Sequence, residues 1–118
     1  MDLKELLYMR TQVLKDNNVI DDKSADYTMN MIDLVLATKP NIEEDKAEIF
    51  FTHLAMASQR AIDGLIENPL DDEVLLTVKE HPLYNEALAL RNEMLSKTDI
   101  EFSQSEKDFL SAHICNFL

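Results

Sequence analysis

Two histidines set in apolar helical runs carry most of the chemical potential of this chain. His53 lies in Phe50-Phe51-Thr52-His53-Leu54-Ala55-Met56, and Arg60 follows it by seven residues. His113 lies in Phe109-Leu110-Ser111-Ala112-His113-Ile114-Cys115, and Glu106 precedes it by seven. Seven residues are close to two helical turns, so each polar partner shares a face with its histidine, roughly 10 Å along the axis. A neutral imidazole is nucleophilic, and it is the side chain that changes charge near neutral pH. An arginine on the same face can meet phosphate oxygens with its planar fork. A glutamate can hold an imidazole in one tautomer by accepting its other ring proton. Glu106 also stands three residues after Ser103, the spacing of a capping box, so a role as cap partner alone is its other reading; the spacing leaves both roles open.

Other chemistries fit less well. Counting from Asp16, a calcium loop needs glycine at its sixth place and glutamate at its twelfth, where Asp21 and Tyr27 stand. Three scattered histidines and one cysteine give no short pair of zinc ligands, so no metal site is expected. One glycine cannot build a phosphate-cradling loop, and no cofactor is expected. His81 precedes Pro82 and reads as a cap or turn residue. Cys115, alone, reads as a small buried apolar side chain.

Composition narrows the partners. The 118 residues suffice for one domain with one core, taken as residues 1–118. Eleven basic against 23 acidic residues leave a net charge of −12. Phosphate backbones would be repelled, so direct nucleic-acid binding is not expected, whereas a basic protein partner would be attracted. No apolar run approaches the roughly 20 residues of a membrane span, and the first ten residues lack the pattern of a secretion signal. The expected location is the cytoplasm, with no membrane contact.

The elements that must position the histidines are helical throughout. Asp2 with Glu5 opens a first helix, its stripe formed by Leu3, Leu6, Leu7, Arg10, Val13 and Leu14. Asn and Asp residues end it, and Ser24 is the expected N-cap of a second helix carrying Tyr27, Met31, Leu34 and Val35 inward. Asn41 with Glu44 opens the longest helix, expected over Ile42 to Glu67 and stopped by Asn68-Pro69. A fourth region starts near Asp71. Pro82 either kinks it or begins a new segment. Ser103 with Glu106 is a Ser-x-x-Glu capping box opening the last helix, whose apolar face is Phe109, Leu110, Ile114 and Phe117. The expectation is an all-α, five-helix bundle.

The ordered motifs resemble a known family. His53-Leu54 with Arg60 resembles the first histidine motif of the PRD, the regulation domain of the bacterial sugar phosphotransferase system found in antiterminators and transcriptional activators. Glu106, Phe109-Leu110, His113-Ile114 and Asn116 look like its second motif. Between them, His81-Pro82-Leu83-Tyr84-Asn85-Glu86-Ala87 resembles the family's Tyr-Pro-x-x-Tyr-x-x-Ala stretch, with His81 in the aromatic place. The resemblance runs over roughly residues 5 to 118. It implies a five-helix bundle that associates as a homodimer, with His53 and His113 as phosphorylation sites and Arg60 and Glu106 as phosphate-binding or supporting residues. It implies the histidine phosphocarrier protein or an enzyme II component as phosphoryl donor, and an effector protein whose identity the sequence does not give. Most family members join such domains to a nucleic-acid-binding domain. None is visible here, so the chain reads as a stand-alone, non-enzymatic module or a piece of a longer regulator. Two other readings compete: a helical scaffold with structural histidines, and a small enzyme using a histidine as acid or base.

Overall fold

The computed structural model describes residues 1–118, and every regular element in it is a helix. There are six helices rather than five: α1 Leu3–Asp16, α2 Asp22–Thr38, α3 Glu44–Ile62, α4 Asp72–Lys79, α5 Tyr84–Leu95 and α6 Gln104–Phe117. The extra helix comes from the His81-Pro82 break. The Leu83 N–H bonds the His81 Nδ1 at 3.0 Å and the Tyr84 N–H bonds the His81 carbonyl at 2.9 Å, closing a turn between α4 and α5. Proline has no N–H for a helical ladder, so the two segments stay separate. The chain divides into two compact units, Met1–Gln59 and Arg60–Leu118.

In the first unit, α1 and α2 pack together. Asp2 caps α1 by accepting from the Glu5 N–H at 2.8 Å, as its sequence suggests. Asn18, at φ 59°, ends α1 in a left-handed residue. The Val19 N–H reaches the Leu14 carbonyl and the Asn18 N–H the Lys15 carbonyl, the paired bonds of a Schellman stop. Asp21, not Ser24, caps α2, its carboxylate accepting from the Ser24 N–H at 2.9 Å. Ser24 is instead fully buried, and its hydroxyl donates to Gln59 Oε1 at 3.0 Å. The same Gln59 oxygen accepts from the Asp21 N–H at 2.8 Å, which ties the start of α2 to α3. Leu7, Tyr27, Met31, Ile32, Val35, Phe50, Phe51 and Leu54 are buried core residues. A side chain such as Phe50, 1% exposed, contributes about 2–3 kcal/mol through burial. The expected stripe of α1 is displaced: Leu7 and Thr11 face inward, while Val13 is half exposed.

In the second unit, α5 and α6 pack together and α4 leans on α6. Arg91 bridges the pair, donating from Nη1 to Ser111 Oγ at 3.0 Å and to the Lys107 carbonyl at 3.5 Å. Ala87, Leu90, Met94, Leu110, Ile114 and Phe117 are buried, and so is Cys115. Helix α3 stops five residues short of the expected Glu67. Gly64, at φ 74°, is the left-handed residue of a second Schellman stop, with Leu65 N–H on the Arg60 carbonyl and Gly64 N–H on the Ala61 carbonyl. Leu65, expected inside this helix, therefore lies beyond it and is 59% exposed.

Candidate functional site

His53 rides on α3, whose buried side is Ala47, Phe50, Phe51, Leu54, Ala55, Ala57 and Ser58. The ring is partly exposed, but its Nε2 atom is enclosed. Ile49 and Met56, four residues before and three after, fall on the same helix face as His53. They are 61% and 41% exposed, so the histidine is set in an apolar stripe that meets solvent. Met9, Arg10, Val13 and Leu14 of α1 form a groove of about 240 Å³ with Thr52, the residue before His53, whose hydroxyl accepts from Arg10 Nη2 at 3.4 Å.

His113 lies on α6 between buried Leu110 and Phe117, which share its face. It is itself partly buried, and desolvation holds its pKa below the ordinary histidine value. The ring is therefore kept neutral at neutral pH, the form with a nucleophilic nitrogen.

Arg60 and Glu106, read from sequence as partners of two different histidines, are joined to each other. Arg60 Nε donates to Glu106 Oε1 at 2.9 Å and Nη2 donates to Oε2 at 3.3 Å. This is the forked geometry that suits a guanidinium to a carboxylate. Glu106 is 1% exposed, whereas a quarter of the Arg60 side chain reaches solvent. Arg60 also lies 3.6 Å from Glu67 Oε2. The local causes are plain. Ser103 caps α6, taking the Glu106 N–H at 3.2 Å, which fixes Glu106 in the first turn. The Gly64 stop sets Arg60 in the last turn of α3, where a cation also suits the helix dipole. His81, by contrast, is an exposed turn residue, as expected.

A family model for the PRD domain matches residues 34–117 of this chain. The chain belongs to the PRD family. The matched span contains both histidines, Arg60 and Glu106, and the family's helical character agrees with the all-helical PRD seen here. No curated protein and no solved structure matches the chain. Sequence reasoning placed the four PRD residues on their helices; it missed the Arg60–Glu106 pairing. Their opposite charge and buried helical settings were the only signals, because the contact joins residues 46 positions apart.

Proposed function

We propose that this PRD is a regulatory module of the bacterial sugar phosphotransferase system that accepts phosphoryl groups on His53 and His113 and signals by protein–protein association. The supporting observation is the family match, which spans both histidine motifs. The donor is a phosphohistidine of the phosphocarrier protein or of an enzyme II component. In the transfer, the lone pair of a neutral ring nitrogen attacks phosphorus as the donor's P–N bond breaks. The acceptor's other ring nitrogen gives up its proton as the donor imidazole takes one, so charge and bonds balance. The chemistry is between like groups, so the module needs orientation rather than a strong catalyst. The desolvated ring of His113 supplies the neutral nucleophile. At His53 the enclosed Nε2 means that transfer to this atom needs local opening of the ring's surroundings.

The consequence is electrostatic. A phosphoryl group on His53 places close to two negative charges in the exposed stripe of Ile49 and Met56. An apolar face that two copies bury against each other would be disrupted by that charge, which makes self-association the readout. The Arg60–Glu106 clamp serves in this reading as a positioning pair that fixes the first turn of α6. In this reading residues 1–118 act as a regulatory domain in the cytoplasm.

Incubation with enzyme I, phosphocarrier and phosphoenolpyruvate should give acid-labile phosphate that His53→Ala and His113→Ala remove. Absence of label, where a known acceptor is labelled, refutes the proposal. The enclosure of Nε2 favours a second reading, a helical scaffold with structural histidines. That reading expects the same two substitutions to lower stability without altering partner binding at matched folded fraction.

A further inference from the structure

The groove between α1 and Thr52 differs in chemistry from the acidic surface that dominates this chain. Its walls are Met9, Val13 and Leu14 on α1 and Thr52 on α3, and its single charged lining residue is Arg10. Met9 and Val13 stand one turn apart on α1 and are 45% and 51% exposed, so the apolar wall is open to a ligand. The chain carries 23 acidic residues, yet none lines the groove and none pairs with Arg10. The Arg10 Nη2 atom has only the Thr52 hydroxyl, at 3.4 Å, beyond the usual range of an N–H···O bond. A guanidinium has five N–H donors and no acceptor. Held only by one neutral hydroxyl, this one keeps most of its donors for an anion.

We propose that this groove binds a small aliphatic carboxylate, with its chain against Met9, Val13 and Leu14 and its carboxylate on the Arg10 fork. Size and charge select that occupant. A volume of about 240 Å³ falls below the roughly 300–1,000 Å³ of sites for drug-sized ligands, so one short chain fills it. A helix, about 10 Å across, is too wide for it. The planar fork matches a carboxylate through two parallel bonds. A single negative charge meets Arg10 at short range, whereas a polyanion is repelled as a whole by the net charge of −12. An alkylamine would set its cation against Arg10. The α1 wall precedes residues 34–117, the span that matches the family model, so the groove is not a property of that span. Occupancy requires no phosphate on His53 or His113, so this inference stands apart from the phosphorylation reading.

The test titrates the full chain with octanoate and follows its backbone amides by two-dimensional NMR. Octanol supplies the same chain without the charge, and acetate supplies the charge with almost no chain. Octanoate should bind at least about tenfold more tightly than either control, because a charged hydrogen-bond partner is worth about that factor. Shifts should cluster at residues 9–14 and at Thr52. Arg10→Gln should weaken octanoate about tenfold and leave octanol unchanged. Met9→Ser with Val13→Ser should weaken octanoate and octanol alike, through loss of the apolar wall. If that double variant unfolds, Arg10→Gln decides, because Arg10 is exposed and takes no part in the core. Equal affinity for octanoate and octanol, undiminished octanoate binding in Arg10→Gln, or shifts centred elsewhere overturn the proposal.

Discussion

Replacing Arg60 by methionine keeps most of the side-chain stem and removes the fork. Glu106 then retains a carboxylate that is 1% exposed, without the two bonds at 2.9 and 3.3 Å that Arg60 supplied. Removing one partner of a buried ion pair costs about 3–5 kcal/mol, because the other charge is left in a poor solvent. A quarter of the Arg60 side chain is exposed, so water can approach from that side, which places the expected loss at the lower end, about 3 kcal/mol. For a chain of this length that lowers the melting midpoint by roughly 10 °C. Glu106→Gln keeps the shape and one acceptor oxygen, and leaves Arg60 partly solvated beside Glu67, so its cost is about 1 kcal/mol. The double variant Arg60→Met with Glu106→Leu removes both charges and recovers most of the loss. The assay is urea unfolding followed by circular dichroism at fixed protein concentration, since any dimer would shift the apparent stability. An Arg60→Met cost under about 0.5 kcal/mol, or a cycle in which the two residues act additively, would refute the claim that the clamp anchors α6.

Burial holds the His113 pKa below its unfolded value, so the unfolded chain binds more protons in that range. Its contribution to stability is therefore full above the ordinary histidine pKa of 6.5 and is lost as pH falls through the lower folded value. Unfolding midpoints should drop over that window in wild type and less in His113→Gln, and an unchanged slope would count against it. Gly64→Ala should cost about 1 kcal/mol from the left-handed backbone alone, because no atom lies within 4 Å of an added Cβ; a loss of several kcal/mol would reveal a clash. Ser103→Ala should cost about 1 kcal/mol through loss of the α6 cap, read by thermal melting. Sedimentation should show a dimer that phosphorylation of the chain dissociates or rearranges; a monomer under all conditions refutes the association part of the proposal.

Local signals carried well where the governing contact is local. Asp2 and Ser103 cap their helices as read, since a cap spans three residues and needs nothing from the rest of the fold. The α2 cap was misassigned because Asp21 and Ser24 are both good caps; Gln59, 38 residues away, holds the Asp21 N–H and the Ser24 hydroxyl together. The end of α3 was placed too late. Its apolar pattern runs on past Ile62 towards Asn68-Pro69, but Gly64 ends it first, because a residue at ease with positive φ can form that stop. Val13 kept the apolar period of α1 yet faces solvent, because an amphipathic period defines a stripe without stating what covers its edge.

The sequence by itself determined that this protein is helical, acidic and of the PRD type, with His53 and His113 on helix faces shared with Arg60 and Glu106. Those properties follow from composition and from periods of three to seven residues, which any helix converts into geometry. Only the tertiary structure decided that Arg60 and Glu106 bind each other, that Nε2 of His53 is enclosed, and that desolvation lowers the pKa of His113. Pairing and burial depend on which residues from distant parts of the chain crowd around a group, and no local spacing encodes that.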